Sequence, residues 1–239
     1  MSVFRTILAD LQAPTERDPA ARGPFDVLLS YPGFHAVTAH RFIHALHRTG
    51  LPIVPRFLSQ VVRFATGIEI HPGARIGKGF FIDHGMGVVI GETCEIGDDV
   101  TIYQGVTLGG TSLTAGKRHP TLGNGVTVGV NAAVLGAITL GDGAKVGAGS
   151  VVVHDVPRNA TVVGVPGHIV AQDGKAVRAV VPRSQVDMPD PEGALIERLT
   201  ERIAALEARL ASLENVPRSA RISASVNSVA AFDDVSPAI

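Results

Sequence analysis

Between Ile70 and Val156 the hydrophobic positions keep a beat of six. Ile70, Ile76 and Ile82 open it, and after a two-residue slip Ile90, Ile96, Ile102 and Leu108 continue it. An insertion follows, and Leu122, Val128, Val134, Leu140, Val146 and Val152 resume the count. The residue after each beat is often small or acidic (Gly77, Asp83, Gly91, Gly97, Gly109, Gly123), and the fourth after it is mostly small or apolar (Ala74, Cys94, Val100, Val126, Ala144). Neither the helical period nor simple strand alternation gives this spacing. A strict six-residue repeat predicts a parallel β-helix, in which short strands stack on equivalent strands one coil away.

The flanks follow other rhythms. Residues 1–67 lack the beat and read as helical: a short helix at Phe4–Leu11, a loop from Gln12 to Pro24, a helix at Phe34–Arg48 closed by Gly50 and Pro52, and a last one bearing Phe57, Leu58, Val61, Val62 and Ala65. That last face is expected to pack on the first coil. His40, His44 and His47 share one helix face, a spacing compatible with a metal site or with a half-buried amphipathic face. Residues 68–167 form the repeat. In residues 168–239, Ile169–Pro191 reads as linker, and Ile196, Leu199, Ile203, Leu206, Leu210 and Leu213 give three heptads on a helix of about 194–214. Residues 216–235 read as disordered.

Composition narrows the class. The 239 residues carry a net charge of −1 and no basic block, which argues against nucleic acid. One cysteine allows no internal disulfide, and no signal peptide or membrane span stands out, so a cytoplasmic protein is expected. Cys94 falls on an inward small position of the repeat and is expected to be buried rather than a nucleophile.

Two interruptions carry the chemistry, because insertions into a stacked repeat leave the stack. One follows Asp83-His84; the other runs from Gly109 to Thr121. Glu69-Ile70-His71-Pro72, Ile82-Asp83-His84-Gly85, Gly91-Glu92-Thr93, Gln104 to Thr111, Arg118-His119-Pro120 and Val163-Gly164-Val165-Pro166-Gly167 follow in order. With Asp18-Pro19-Ala20 and Gly33-Phe34-His35-Ala36 upstream, this set resembles the serine O-acetyltransferases among the hexapeptide-repeat acyltransferases.

The resemblance implies a mainly β protein: a left-handed, three-sided parallel β-helix with an N-terminal α-helical domain and a C-terminal helix and tail. It implies acetyl transfer from acetyl-CoA to L-serine, the first step of cysteine biosynthesis, without a metal. Moving an acetyl group onto an alcohol needs a base near neutrality, a role suited to His84. Glu69, expected one coil below Gly87, is the candidate to orient it, where relatives carry Asp. Arg118 suits the serine carboxylate, Asp18 and Asp83 its ammonium, and His119 lines the same pocket. The acetyl-CoA groove is expected at Gly109, Gly110, Val130, Lys145 and Ala148. The family further implies a homotrimer, feedback inhibition by L-cysteine, and a C-terminal Ile239 that docks into O-acetylserine sulfhydrylase. Three other readings stand beside this one: a prism acetyltransferase for another acceptor, a γ-class carbonic anhydrase using His71, His84 and His119, and a scaffold without catalysis.

Overall fold

A computed structural model describes residues 3–51, 53–176 and 191–214. The chain divides into two units, one ending at Met188 and one beginning at Pro189. The first opens with four helices: α1 (Val3–Arg17), α2 (Pro24–Ser30), α3 (Pro32–His47) and α4 (Val54–Thr66). The repeat then winds coil by coil. The first coil holds β1 (Glu69–Ile70), β2 (Arg75–Ile76) and β3 (Phe81–Ile82); the second holds β4 (Val89–Ile90), β5 (Glu95–Ile96) and β6 (Thr101–Ile102). The third has β7 (Thr107–Gly109), β8 (Thr121–Leu122) and β9 (Thr127–Val128), and the fourth β10 (Ala133–Leu135), β11 (Thr139–Leu140) and β12 (Lys145–Val146). β13 (Val151–Val152) and β14 (Ala160–Val163) begin a fifth turn, and β15 (His168–Gln172) and β16 (Lys175–Ala176) close the end.

Every third strand stacks, so the prism has three faces. Face one is β1-β4-β7-β10-β13, face two β2-β5-β8-β11, and face three β3-β6-β9-β12-β14 with β15 and β16 added at its end. All pairings within the coils are parallel; β14–β15 and β15–β16 are antiparallel. The beat residues point inward: Ile70, Ile90, Ile102, Leu108, Leu122, Val134 and Leu140 are buried, and Ile76 is half-buried. Stacking copies of one branched side chain gives a continuous core with no single central layer.

The first coil has no coil beneath it, and α3 covers that end. Ala36 and Val37, fully buried, join the core. His40 Nε2–H donates to the Ala74 carbonyl (3.1 Å), His44 Nδ1–H to the Pro72 carbonyl (2.8 Å), and Arg41 to the carbonyls of Ile76 and Gly77. Buried Asp10 of α1 pairs with Arg41 (3.1 Å) and accepts from the Phe80 N–H (3.2 Å). The histidine row of α3 thus satisfies backbone acceptors that an open stack would leave unpaired. Burial pushes the His40 imidazole down to about 3, so it is a neutral donor.

Four expectations change. α1 runs to Arg17 through Pro14, where the Gln12–Pro24 prolines suggested a loop; Pro14 removes one helical bond, yet the Asp18 N–H still closes on its carbonyl (2.9 Å). α2 lies where no helix was read. The α4 stripe packs on the core only through Val62; Phe57 and Val61 are exposed. The start of the expected linker, 168–176, is a hairpin that adds strands to face three. In the second unit α5 (Pro191–Glu214) contains the heptad segment. The disorder reading of 216–235 and the role of Ile239 lie outside the described residues. No helix among the described residues is long and apolar enough to cross a membrane.

Candidate active site

His84 stands at the corner joining face three to face one, between β3 and β4. The Gly85 N–H donates to the Asp83 carbonyl (2.6 Å), closing a three-residue turn with His84 at its tip and φ 56°. A left-handed angle at a residue with a Cβ is strained and is kept where the surroundings enforce it. Gly85 and Gly87, at φ 83° and 77°, take the adjacent angles that a side chain would resist. The turn throws the His84 ring outward, with 73% of its side chain exposed and Nε2 4.0 Å from Asp83 Oδ2.

Two N-terminal residues reach this corner. Asp18, just past α1, accepts from the Tyr31 hydroxyl (2.6 Å) and the Ala20 N–H (2.8 Å). The Tyr31 bond, then the Ala20 bond, hold the Asp18 carboxyl below the usual carboxylate range, and His84 adds a weaker pull. The same bond pushes the Tyr31 phenol up to about 12. Asp18 and Asp83 therefore place two carboxylates by His84, and Tyr31 donates to the first. Gly33 makes this possible: a Cβ there would collide with the Ile82 carbonyl, so only glycine lets α3 lie against β3 beside Asp83. One step up the corner, Gln104 Oε1 is buried without a hydrogen-bond partner.

Glu69 does not take the place expected of it. It pairs with Val89 rather than lying under Gly87, because the slip after His84 lengthens that coil. Its carboxylate holds Arg63 at 3.0 Å. The carboxylate recorded beside His84 is that of Asp83.

Arg118 and His119 stand at the other end of face one, at its corner with face two, just before β8. Thr93, named in the sequence only as part of Gly91-Glu92-Thr93 and given no role there, organises them. Its Oγ1 accepts from the N–H groups of Arg118 (3.1 Å) and His119 (3.2 Å) and donates to His119 Nδ1 (2.9 Å). The Thr93 N–H also donates to Nδ1 (3.2 Å). Nδ1 is thus an acceptor, and the proton of the neutral ring sits on Nε2. Burial, then the Arg118 charge, lowers the His119 pKa and keeps the ring neutral. Gly91 gives the ring its room: a Cβ there would overlap the imidazole. Arg118 meets Glu92 at 2.8 Å.

The residues expected to hold acetyl-CoA divide in the same way. Gly109 and Gly110 lie at the Arg118 corner, and a Cβ on Gly110 would sit 3.2 Å from His119 Nε2. Val130 and Ala148 follow β9 and β12 on the His84 corner, and Lys145 is exposed at the start of β12. Lys117 donates to the Thr93 carbonyl (2.8 Å). His71 lies at the Arg118 corner, away from His84, and among the described residues no cluster of three His, Cys, Asp or Glu could hold a metal. Cys94 is fully buried, and burial pushes its thiol up to about 12, which suits packing and not nucleophilic attack.

Residues 1–39 match the family model for the N-terminal region of serine acetyltransferases. Serine acetyltransferase of Bacillus subtilis (strain 168) is 54% identical over 207 residues, covering 87% of this chain and 94% of its own length. The chain belongs to the serine acetyltransferase family. Its fold is accordingly the left-handed form of the parallel β-helix. Among solved family structures, the Neisseria gonorrhoeae serine acetyltransferase in complex with serine superposes at TM-score 0.69 with 47% identity, over 71% of this chain and 69% of that one. A serine acetyltransferase in complex with cysteine gives TM-score 0.70 at 43% identity, over 71% and 70%. The Brucella abortus strain S19 enzyme in complex with coenzyme A gives 0.70 at 42%, over 72% and 69%.

Proposed function

We propose that this serine acetyltransferase family member moves the acetyl group of acetyl-CoA onto the hydroxyl of L-serine at a site built from two copies of the chain. The single observation that carries this reading is the division of the site. Asp18 and Asp83 at the His84 corner and Arg118 at the other stand at opposite ends of face one, and a zwitterion needs both charges. A neighbouring copy supplies the Arg118 corner to each His84 corner, and repetition around a threefold axis closes a trimer.

In that site Asp18 and Asp83 take the serine ammonium and Arg118 its carboxylate. His84 accepts the hydroxyl proton as the oxygen attacks the thioester carbonyl. His119, with its Nε2 proton, donates to the oxygen that becomes negative in the tetrahedral intermediate. Collapse breaks the carbon–sulfur bond, and the proton held on His84 passes to the leaving thiolate. Asp83, whose Oδ2 stands 4.0 Å from the ring, steadies the imidazolium as well as the ammonium; Glu69 is held by Arg63. Acetyl-CoA lies with its thioester near Gly109 and Gly110 and its length along Val130, Lys145 and Ala148. L-Cysteine, which carries the same ammonium and carboxylate, occupies the serine pocket as an inhibitor. The reading is tested by thiol release on mixing the protein with acetyl-CoA and L-serine, against a panel of other hydroxyl and amine acceptors. Turnover that favours another acceptor overturns it.

A further inference from the structure

We propose that α5 is one strand of a parallel, in-register three-stranded coiled coil formed with the α5 helices of two further copies. The strand number rests on the threefold assembly proposed above; the pairing itself rests on α5 alone. α5 is a 24-residue helix, about 36 Å long, in a unit separate from the prism. Ile196, Ile203 and Leu210 occupy the a positions of its heptads and Leu199, Leu206 and Leu213 the d positions. Ile196, Leu199, Ile203, Leu206 and Leu210 are each between 52% and 63% exposed, so α5 presents its seam uncovered. A helix of this length with an unburied apolar stripe gains its stability from a partner.

The charges choose the partner and its direction. Arg202 and Arg209 occupy g positions, and Glu207 and Glu214 the e positions five residues on. In a parallel pair each Arg faces the following Glu of its neighbour. An antiparallel pair with the seam fully overlapped would set Arg202 against Arg209 and leave Glu207 opposite Thr200. Identical helices thus match each other in one orientation. In free peptides an Ile layer at a with a Leu layer at d suits two strands. Among three tethered copies, two strands would leave the third seam in water, whereas three bury every seam, and tethering supplies the effective concentration.

Three measurements on the full chain decide it. Sedimentation of the wild type is expected to give a trimer, and the Ile203→Glu/Leu206→Glu variant is expected to dissociate at concentrations at least about tenfold higher. Far-ultraviolet circular dichroism checks that the prism of the variant is intact. An unchanged dissociation midpoint overturns the coil while leaving the trimer standing; a monomeric wild type sinks the trimer as well. A wild type of six chains that falls to three in the variant puts the pairing between trimers and overturns the bundle. Ile196→Cys, in a chain whose other cysteine is buried, is expected to form a two-chain disulfide under mild oxidation. Absence of that cross-link overturns the parallel register.

Discussion

The two ends of face one are built by opposite means. At the His84 corner the chain makes a strained turn and imports its polar partners from far upstream: Asp18 and Tyr31 come from the segments around α1 and α2. At the Arg118 corner the partners are local, drawn from the coil below and an excursion of the same face, and one threonine side chain aims two residues. The first corner gathers carboxylates around an exposed ring, and the second sets a guanidinium beside a buried one. In the two-chain site proposed above, the corners divide the zwitterion: Asp18 and Asp83 take the ammonium, and Arg118, which in the single chain meets Glu92, takes the carboxylate.

The most direct way to break the comparison is at the exposed ring. His84→Ala is expected to lower kcat by about 10²–10⁴ with thermal stability retained, because general-base catalysis is worth that much. Near-wild-type turnover would remove His84 as the base. The next test sharpens the division itself. His84→Ala and Arg118→Ala chains, each inactive alone, are expected to regain about a quarter of wild-type activity when unfolded and reassembled together in equal amounts. Random assembly leaves that fraction of sites with both corners intact. No recovery in mixed trimers would mean that each site lies within one chain.

Within the Arg118 corner, Arg118→Lys keeps the charge and loses the planar fork. The KM for serine should rise about 10–100-fold while the KM for acetyl-CoA changes little, the cost of a lost charge-assisted pair. A rise in both would assign Arg118 to the cofactor groove. At the His84 corner, Tyr31→Phe frees Asp18 from its strongest restraint. Its carboxyl pKa should rise, so serine binding should weaken severalfold and begin to fail at higher pH on the acid side. An acid limb that stays in place would show that Tyr31 only packs.

The cap beneath the first coil is read through stability and not through turnover; of its depressed histidines, His40 lies under the stack on the Ala74 carbonyl and His71 borders the Arg118 corner. His40 and His71 sit folded at about 3 and about 4, in both cases chiefly through burial. Unfolded, they titrate near 6.5. Protonation therefore favours the unfolded chain. The contribution is intact above about pH 6.5 and is lost as pH falls toward 4 and below, at ~1.4 kcal/mol per pH unit for each proton. Urea midpoints from pH 8 to 4 check this; a His40→Asn variant is expected to show the shallower slope.

The repeat was legible because its beat is a packing rule: an inward branched residue at each strand allows no substitute by a polar one. The corners were legible as interruptions of that rule. Partnership across sequence was not. Nothing in the local pattern ties Tyr31 to Asp18, since the bond depends on where α2 and α3 turn, and prolines at 14, 19 and 24 hid those turns. Thr93 went unread because its role is a hydrogen-bond geometry rather than a charge. Glu69 was misplaced by counting a uniform coil across a slip that is not uniform. The family resemblance supplied handedness, which a period cannot encode.

The stacked corner above His84 is also a ruler. Gly105 N–H binds the Met86 carbonyl, Asn131 N–H that of Gln104, and Gly149 N–H that of Val130, each within 2.8–2.9 Å. Such rungs repeat about every 4.8 Å, so Ala148, three rungs from His84, lies about 14 Å along the axis. For acetyl-CoA laid along this corner as proposed, distance from the reacting carbon is counted in whole coils. A donor truncated to acetyl-pantetheine would still reach His84 while leaving the upper rungs bare, and deleting or adding one complete hexad triplet would change the preferred donor length by one rung.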